Sequence, residues 1–311
     1  MLALCFLLLA GGPARAARFG PVRAAFFYPW YPTHWSSCGA PPCTKYSPNL
    51  GQYSSTSSAV ISDQIRAMLY GHITAGIASW WGPGSREDRA MPALLSAARG
   101  TPFKWSIYYE LEQSSEPSAY RIHKDLLYIR RRYSHDPGFL KVNGRMVVFV
   151  YASYTREGCS VVSKWERANV GIGAYLSISI VPGWSLCPIR PDSWHYYDGL
   201  EHREIGTAST GGNAFTGDSS FTISPGFYPY YDRSPVCLGS DTTYPNLCLP
   251  RDPKDWKQNV ADLVASGATW QLITTFNEWN EGTSIEEATG LRGWSSGSGY
   301  GTYMDALAAN P

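Results

Sequence analysis

Apolar residues recur along this chain with two periods that alternate. Residues 23–30 form an apolar, aromatic run, and residues 58–70 then carry Val60, Ile61, Ile65, Met68 and Leu69 at helical spacing. The pair repeats. A strand-like run at 72–81 precedes a helical pattern at 86–99, which Gly100 stops. Runs at 104–109 and 145–151 precede helical patterns at 120–133 and 161–168, and 174–181 predicts a fifth strand. Residues 182–250 read as loops with weaker strand signals at 194–197 and 221–228. A strong helical period returns at 252–265, with Trp256, Val260, Leu263 and Val264 on one face; 270–276 is the last strand and 304–309 a closing helix. Alternating strands and helices predict a parallel sheet with crossover helices. The expected fold class is α/β, a single (β/α)8 TIM-type barrel with long strand-to-helix loops. An open doubly wound sheet is the alternative, but no Gly-x-Gly-x-x-Gly follows the first strand.

Charge and composition narrow the picture. The 311 residues include 26 Lys and Arg against 25 Asp and Glu, so no nucleic-acid partner held by bulk charge is expected. With 44% hydrophobic and 16% charged residues the chain is not of the disordered class. Leu2 to Ala10 is apolar and precedes Ala14-Arg15-Ala16, a small-residue cleavage pattern, although no Lys or Arg stands before the run. Residues 1–16 therefore read as a signal peptide and 17–311 as the barrel domain, secreted or extracytoplasmic. No later stretch is apolar enough for a membrane span. Cys5 would leave with the signal. The six remaining cysteines read as disulfides, and spacing suggests Cys38–Cys43, Cys159–Cys187 and Cys237–Cys248, with connectivity left open. No Cys-x-x-Cys occurs and no histidine lies at ligand spacing to a cysteine, so no metal is expected. A monomer is expected.

The aromatic fraction of 14%, with 12 Trp and 21 Tyr, exceeds what a core needs and suggests a cleft that stacks sugar rings. Barrel chemistry sits at the carboxyl ends of strands. There the first strand offers Tyr28, Trp30 and Tyr31, the second Trp80 and Trp81, the third Tyr108, Tyr109 and Glu110, and the fourth Tyr151. The last strand runs into Asn277-Glu278-Trp279-Asn280-Glu281. Aromatic faces stack on sugar C–H faces, and carboxylates hold hydroxyls and move protons. Two glutamates three apart can both face the mouth if the chain turns, and Gly282 permits such a turn. Glycoside hydrolysis uses a carboxyl pair, and a shared site raises the pKa of one member by burial and like charge. Glu278 and Glu281 are thus the candidate catalytic residues. Tyr28, Trp30, Tyr31, Trp80, Trp81, Tyr109, Glu110, Tyr151, Asn277 and Trp279 are the candidate substrate contacts. His34 and Trp35 are placed to reach the mouth. Glu286 reads either as a hydrogen-bond partner within the site or as a surface charge.

Residues 275–283, Thr-Phe-Asn-Glu-Trp-Asn-Glu-Gly-Thr, resemble the last-strand signature of glycoside hydrolase family 99, the endo-α-mannosidases, and of the wider family-99-like group. Ala25 to Tyr31, Tyr46 to Ser55 and Ala75 to Trp81 resemble further blocks of that group. The resemblance implies a (β/α)8 barrel that cleaves α-mannosidic bonds inside a polysaccharide or oligosaccharide with retention, with no metal or organic cofactor. It implies that Glu278 deprotonates the sugar's 2-hydroxyl, which attacks the anomeric carbon to give a 1,2-anhydro sugar. Glu281 would protonate the leaving oxygen and then activate water. The chain departs from the family pattern at Asn280 and Ser284, where His and Gln are common. A glycosidase of another linkage and a non-catalytic exported glycan-binding barrel are the other readings of these residues.

Overall fold

A computed structural model describes residues 19–37, 43–44, 46–153, 155–197, 203–204, 220–227, 249, 251–289 and 294–311. Among the described residues eight strands of its sheet form the barrel ring: β1 (Val22–Phe27), β2 (Ala75–Trp80), β3 (Lys104–Tyr109), β4 (Arg145–Val150), β5 (Tyr175–Ser179), β6 (Ser193–His195), β7 (Ser220–Ile223) and β8 (Trp270–Ile273). They pair in parallel in the order β6-β5-β4-β3-β2-β1-β8-β7. Among the described residues no backbone ladder joins β7 to β6. Two hydroxyls bridge that seam instead: Ser220 Oγ donates to Trp194 O at 2.7 Å and Thr222 Oγ1 to Tyr196 O at 3.1 Å. The result is the expected (β/α)8 barrel, nearly closed.

The helices are α1 (Ser58–Tyr70), α2 (Arg86–Ala98), α3 (Leu111–Ser115), α4 (Ala119–Arg132), α5 (Ser160–Asn169), α6 (Pro253–Ala265) and α7 (Thr302–Ala308). Side-chain caps explain several starts. Ser85 and Ser118 accept from the N–H groups of Asp88 and Arg121, and Asp252 caps α6 ahead of Pro253. The five-residue α3 was not expected from the pattern. Strand β8 stops at Ile273 rather than 276, because the chain leaves the ladder to turn toward the barrel mouth. Two-residue pairings lie outside the barrel ring. Ser47–Pro48 pairs with Ala288–Thr289, which straps the loop after β1 to the segment after β8.

Side chains along each strand alternate between two apolar layers. Ala24, Phe26, Ala75, Ile77, Tyr108, Val147, Phe149, Tyr175, Trp270 and Leu272 fill the barrel interior. Ala25, Phe27, Ala78, Trp80, Ile107, Tyr109, Val148, Val150, Leu176 and Ile273 face the helices. Gly76 shows how tight the outer layer is. A Cβ there would lie 2.2 Å from the Trp105 ring. Gly76→Ala is therefore expected to cost about 1–3 kcal/mol by overpacking, read as a lower urea midpoint. An unchanged midpoint would mean that Trp105 moves aside freely.

Cys159 and Cys187 form a disulfide, in agreement with their spacing, and it ties the start of α5 to the loop after β5. Cys43 is also disulfide-bonded. Cys38, Cys237, Cys248 and the expected signal peptide lie outside the described residues. Among the described residues no helix is long and apolar enough to cross a membrane.

Candidate active site

The carboxyl pair is placed by a clamp between β8 and β1. Asn277 Oδ1 accepts from Tyr28 N–H at 2.7 Å and its Nδ2 donates to Tyr28 O at 3.2 Å, so an amide side chain extends the pairing beyond the end of β8. The chain then turns. Glu278 N–H donates to Thr275 Oγ1 at 2.8 Å, and Gly282 takes φ 68°, the left-handed conformation that glycine adopts without strain. Arg251 fixes the far side of the turn. Its guanidinium donates to Gly282 O and Ser284 O, each at 2.6 Å, and lies over the Trp294 and Tyr303 rings at 4.0 and 4.4 Å. Ser284 Oγ donates to Phe276 O at 2.9 Å, so one of the two departures from the family pattern is a wall residue.

Glu278 is almost fully buried. Its Oε1 accepts from the N–H groups of Asn280 and Glu281 at 3.0 and 3.3 Å, while its Oε2 is buried with no partner. Burial, and then the negative charge of Glu281, hold its pKa well above the usual carboxylate range against the pull of those two N–H groups. Glu281 is half-buried, and its Oε2 accepts from Tyr197 O–H at 3.3 Å. Tyr28 O–H donates in turn to Tyr197 Oη. Glu110 follows β3 and faces the same interior. Burial, with a further contribution from Glu281, pushes it up to about 8. Burial and then the charges of Glu110, Glu281 and Glu278 together raise the Tyr28 hydroxyl well above its ordinary value.

Strand alternation sorts the aromatic candidates. Tyr28, Trp30 and Tyr151 belong to the interior layer with Tyr108 and Tyr197. Trp30 is sandwiched between Tyr28 at 4.4 Å and His34 at 4.1 Å, the latter in parallel stacking. Trp81 is 39% exposed, at the rim beyond β2. Five expected contacts lie elsewhere. Trp80 and Tyr109 point outward to the helices, where Trp80 Nε1 donates to Asp88 and Tyr109 O–H to Asp125, both at 2.8 Å. Tyr31 is buried behind the clamp, stacked on Trp35 at 4.0 Å and donating to Asn277 O at 3.0 Å. Trp35, placed toward the mouth by sequence order, is a wall residue for the same reason. Asn277 and Trp279 are wholly buried: the first is spent on the clamp, and the second donates its Nε1–H to Tyr53 Oη at 3.1 Å. These residues shape the cleft wall without facing it. A residue on the same strand one position away has the opposite orientation, which is why proximity in sequence misled.

Tyr197, Arg251, Tyr53 and Gln64 were not singled out from sequence. The alternation Ser193-x-His195-x-Tyr197 could have marked Tyr197 as inward; Arg251 carries no local signal. Glu286 is a buried hydrogen-bond partner and not a surface charge. It accepts from Tyr53 O–H at 2.6 Å and from Gln64 Nε2 at 2.9 Å, and burial raises it to about 7. Among the described residues no group of three His, Cys, Asp or Glu side chains is placed to hold a metal ion.

The raised carboxyls give a stability prediction with a definite sign. Folded Glu110 and Glu286 keep their protons up to about 8 and about 7, whereas an unfolded glutamate loses its proton near 4.5. Between those limits the folded state binds more protons, so stability falls as pH rises through the window. Glu110→Gln should flatten that fall between about pH 5 and pH 8, as read by urea midpoints. Parallel slopes for wild type and variant would refute the assignment.

Comparison with known proteins finds similarity to carbohydrate enzymes. The model of "Glycosyl hydrolase family 99" matches residues 25–178, which run from β1 into β5 and stop short of the Glu278–Glu281 turn. The chain is similar to the glycoprotein endo-alpha-1,2-mannosidase of Rattus norvegicus, with 22% identity over 280 residues, covering 80% of this chain and 58% of that protein. It is 24% identical over 269 residues to the Xenopus laevis protein of the same name, covering 78% and 58%. The chain thus spans little more than half the length of these curated relatives. Its fold matches a structure of the family 99 endo-alpha-mannosidase from Bacteroides thetaiotaomicron in complex with Bis-Tris propane, with TM-score 0.71 and 20% identity over 93% of this chain and 95% of that one. A structure described as a glycoside hydrolase-like protein matches at TM-score 0.65 and 15% identity over 97% of both chains.

Proposed function

We propose that this chain belongs to the group of glycoside hydrolase family 99 and its family-99-like relatives, and that it is a secreted, retaining glycoside hydrolase. Its substrate is an α-mannoside bond within a polysaccharide. The observation that carries this reading is the Glu278 carboxyl: one oxygen is pinned by two backbone N–H groups and the other is buried, unpartnered and beside Glu281. The pair shares one proton, and in the reactive form Glu281 carries it, leaving Glu278 a carboxylate of raised proton affinity and so a strong base for a sugar hydroxyl. In the first step Glu278 takes the proton of the 2-hydroxyl, and that oxygen bonds to the anomeric carbon. The glycosidic C–O bond breaks, and Glu281 gives its proton to the leaving oxygen. In the second step Glu281 takes a proton from water, whose oxygen attacks the anomeric carbon. The 1,2-anhydro ring opens and the 2-oxygen regains its proton from Glu278. Two inversions give net retention.

Tyr28, Trp30, Glu110, Tyr151 and Tyr197 line the interior where the sugar would lie, with Trp81 at the rim. Glu110, protonated near neutral pH, can donate a hydrogen bond to a sugar oxygen. The Cys159–Cys187 disulfide agrees with an oxidising compartment. Asn280 favours a second reading, a glycosidase of another linkage. Its Oδ1 is buried without a partner beside the carboxyl pair, where the family commonly carries histidine. Hydrolysis of a panel of purified polysaccharides, α-mannans first, decides between them. Products from α-mannan support the mannosidase reading, and products only from another glycan support the second. Binding without products from any of them would identify a non-catalytic barrel.

A further inference from the structure

Outside the barrel wall, behind the catalytic turn, lies a cavity of about 310 Å3 between α1, the loop after β1, the segment after β8 and the approach to α7. That size is at the low end for small-molecule sites, which run from about 300 to 1,000 Å3. Two of its lining residues, Gln64 and Glu286, are buried side chains. Gln64 donates Nε2–H to Glu286 Oε1 and leaves its own Oε1 buried with no donor. An amide oxygen in that position is destabilising unless a hydrogen bond reaches it. Among the described residues no side chain of the wall donates to it, and the lining guanidinium of Arg66 is paired with Asp63 instead. Tyr53 O–H is already committed to Glu286 Oε2, and Tyr53 Oη accepts from Trp279 and Asn277, which completes its valence. The remaining lining is mixed: Leu50, Ala67 and the Tyr300 ring are apolar, Asp63 is an acceptor ion-paired with Arg66, and Asn49 and Ser298 are polar. A small ligand with an apolar face and several hydroxyl donors fits this lining.

We propose that this cavity is a second carbohydrate site, accepting one pyranose unit through the unpartnered Gln64 oxygen, Glu286 and Asp63, with the Tyr300 side as its apolar wall. It is separate from the interior cleft but shares a wall with it. Glu286 connects through Tyr53 to Trp279 and Asn277, the residues on either side of Glu278. The choice of a sugar rests on the carbohydrate reading of the barrel; the cavity and its unpaired acceptor do not.

The test is titration of the isotope-labelled full chain with methyl α-D-mannopyranoside, following backbone amide resonances of residues 63–67 and 298–300. These should shift along a saturable curve with a midpoint on the order of 1 mM. Ala67→Phe, which fills the cavity from the exposed side of α1, should abolish those shifts and leave any shifts at the barrel mouth. Should Ala67→Phe fail to fold, Ala67→Met occupies the same space with a more flexible side chain. Amides that stay still throughout, or that move equally in the filled variant, would overturn the proposal. Movement with methylammonium chloride but not with the glycoside would overturn the choice of a neutral sugar. No turnover is read, so failure of the glycan panel and failure of this titration are separate results.

Discussion

Glu281→Gln is expected to lower turnover on the preferred glycan by about 10²–10⁴-fold, the range of a lost general acid, while glycan binding persists. Glutamine keeps the size of the side chain and can still accept from Tyr197 O–H, so the mouth of the cleft should be unchanged. It has no proton for the leaving oxygen and no carboxylate to activate water, so both steps suffer. The variant also removes a negative charge that raises Glu278, and Glu278 should titrate lower in it. Steady-state rates and glycan binding, measured side by side with wild type, check this. Hydrolysis at the wild-type rate would remove Glu281 from the mechanism and with it the neighbouring-hydroxyl route. Binding lost together with turnover would instead make Glu281 a recognition residue.

Trp279→Ala should destabilise the fold by about 3–5 kcal/mol, and lower the melting temperature on the order of 10 °C. Trp279 lies between the two glutamates in sequence, which suggests a sugar platform. In space it is wholly buried, 6.1 Å from the Trp294 ring and 6.5 Å from Trp35, with its N–H on Tyr53. Truncation would open a cavity in the wall and free the Tyr53–Glu286 pair. Trp279→Phe, which keeps most of the apolar volume, should cost distinctly less. Thermal unfolding of the two variants is the measurement. A stable Trp279→Ala protein with a raised KM would return this residue to the cleft.

The element order was legible because helical and strand periods are local properties. Helix α1 runs from Ser58 to Tyr70 as the spacing predicts, and β3 from Lys104 to Tyr109. Side-chain direction at the strand ends was legible in part. Alternation places Tyr28 and Tyr151 inward, and they do face the interior. The same rule turns Trp80 and Tyr109 outward, but clustering of aromatics at strand ends drew both into the expected site. Arg251 could not be read at all. Its contacts are carbonyls 31 and 33 residues away, and residue type alone does not signal such a role.

The sequence by itself determined the strand–helix alternation, hence the barrel, and marked the Glu278–Glu281 segment that follows the last strand. Each rests on neighbours within a few positions. Only the tertiary structure decided which distant groups meet. Closure of the parallel sheet brings Glu110 near Glu281, sets Tyr28 against Tyr197 169 residues away, and joins Gln64 to Glu286 across 222 residues. Strand order and register fix those meetings, and the burial they create sets the proton affinities. A carboxyl's pKa depends on the whole wall around it, which no stretch of neighbouring residues encodes.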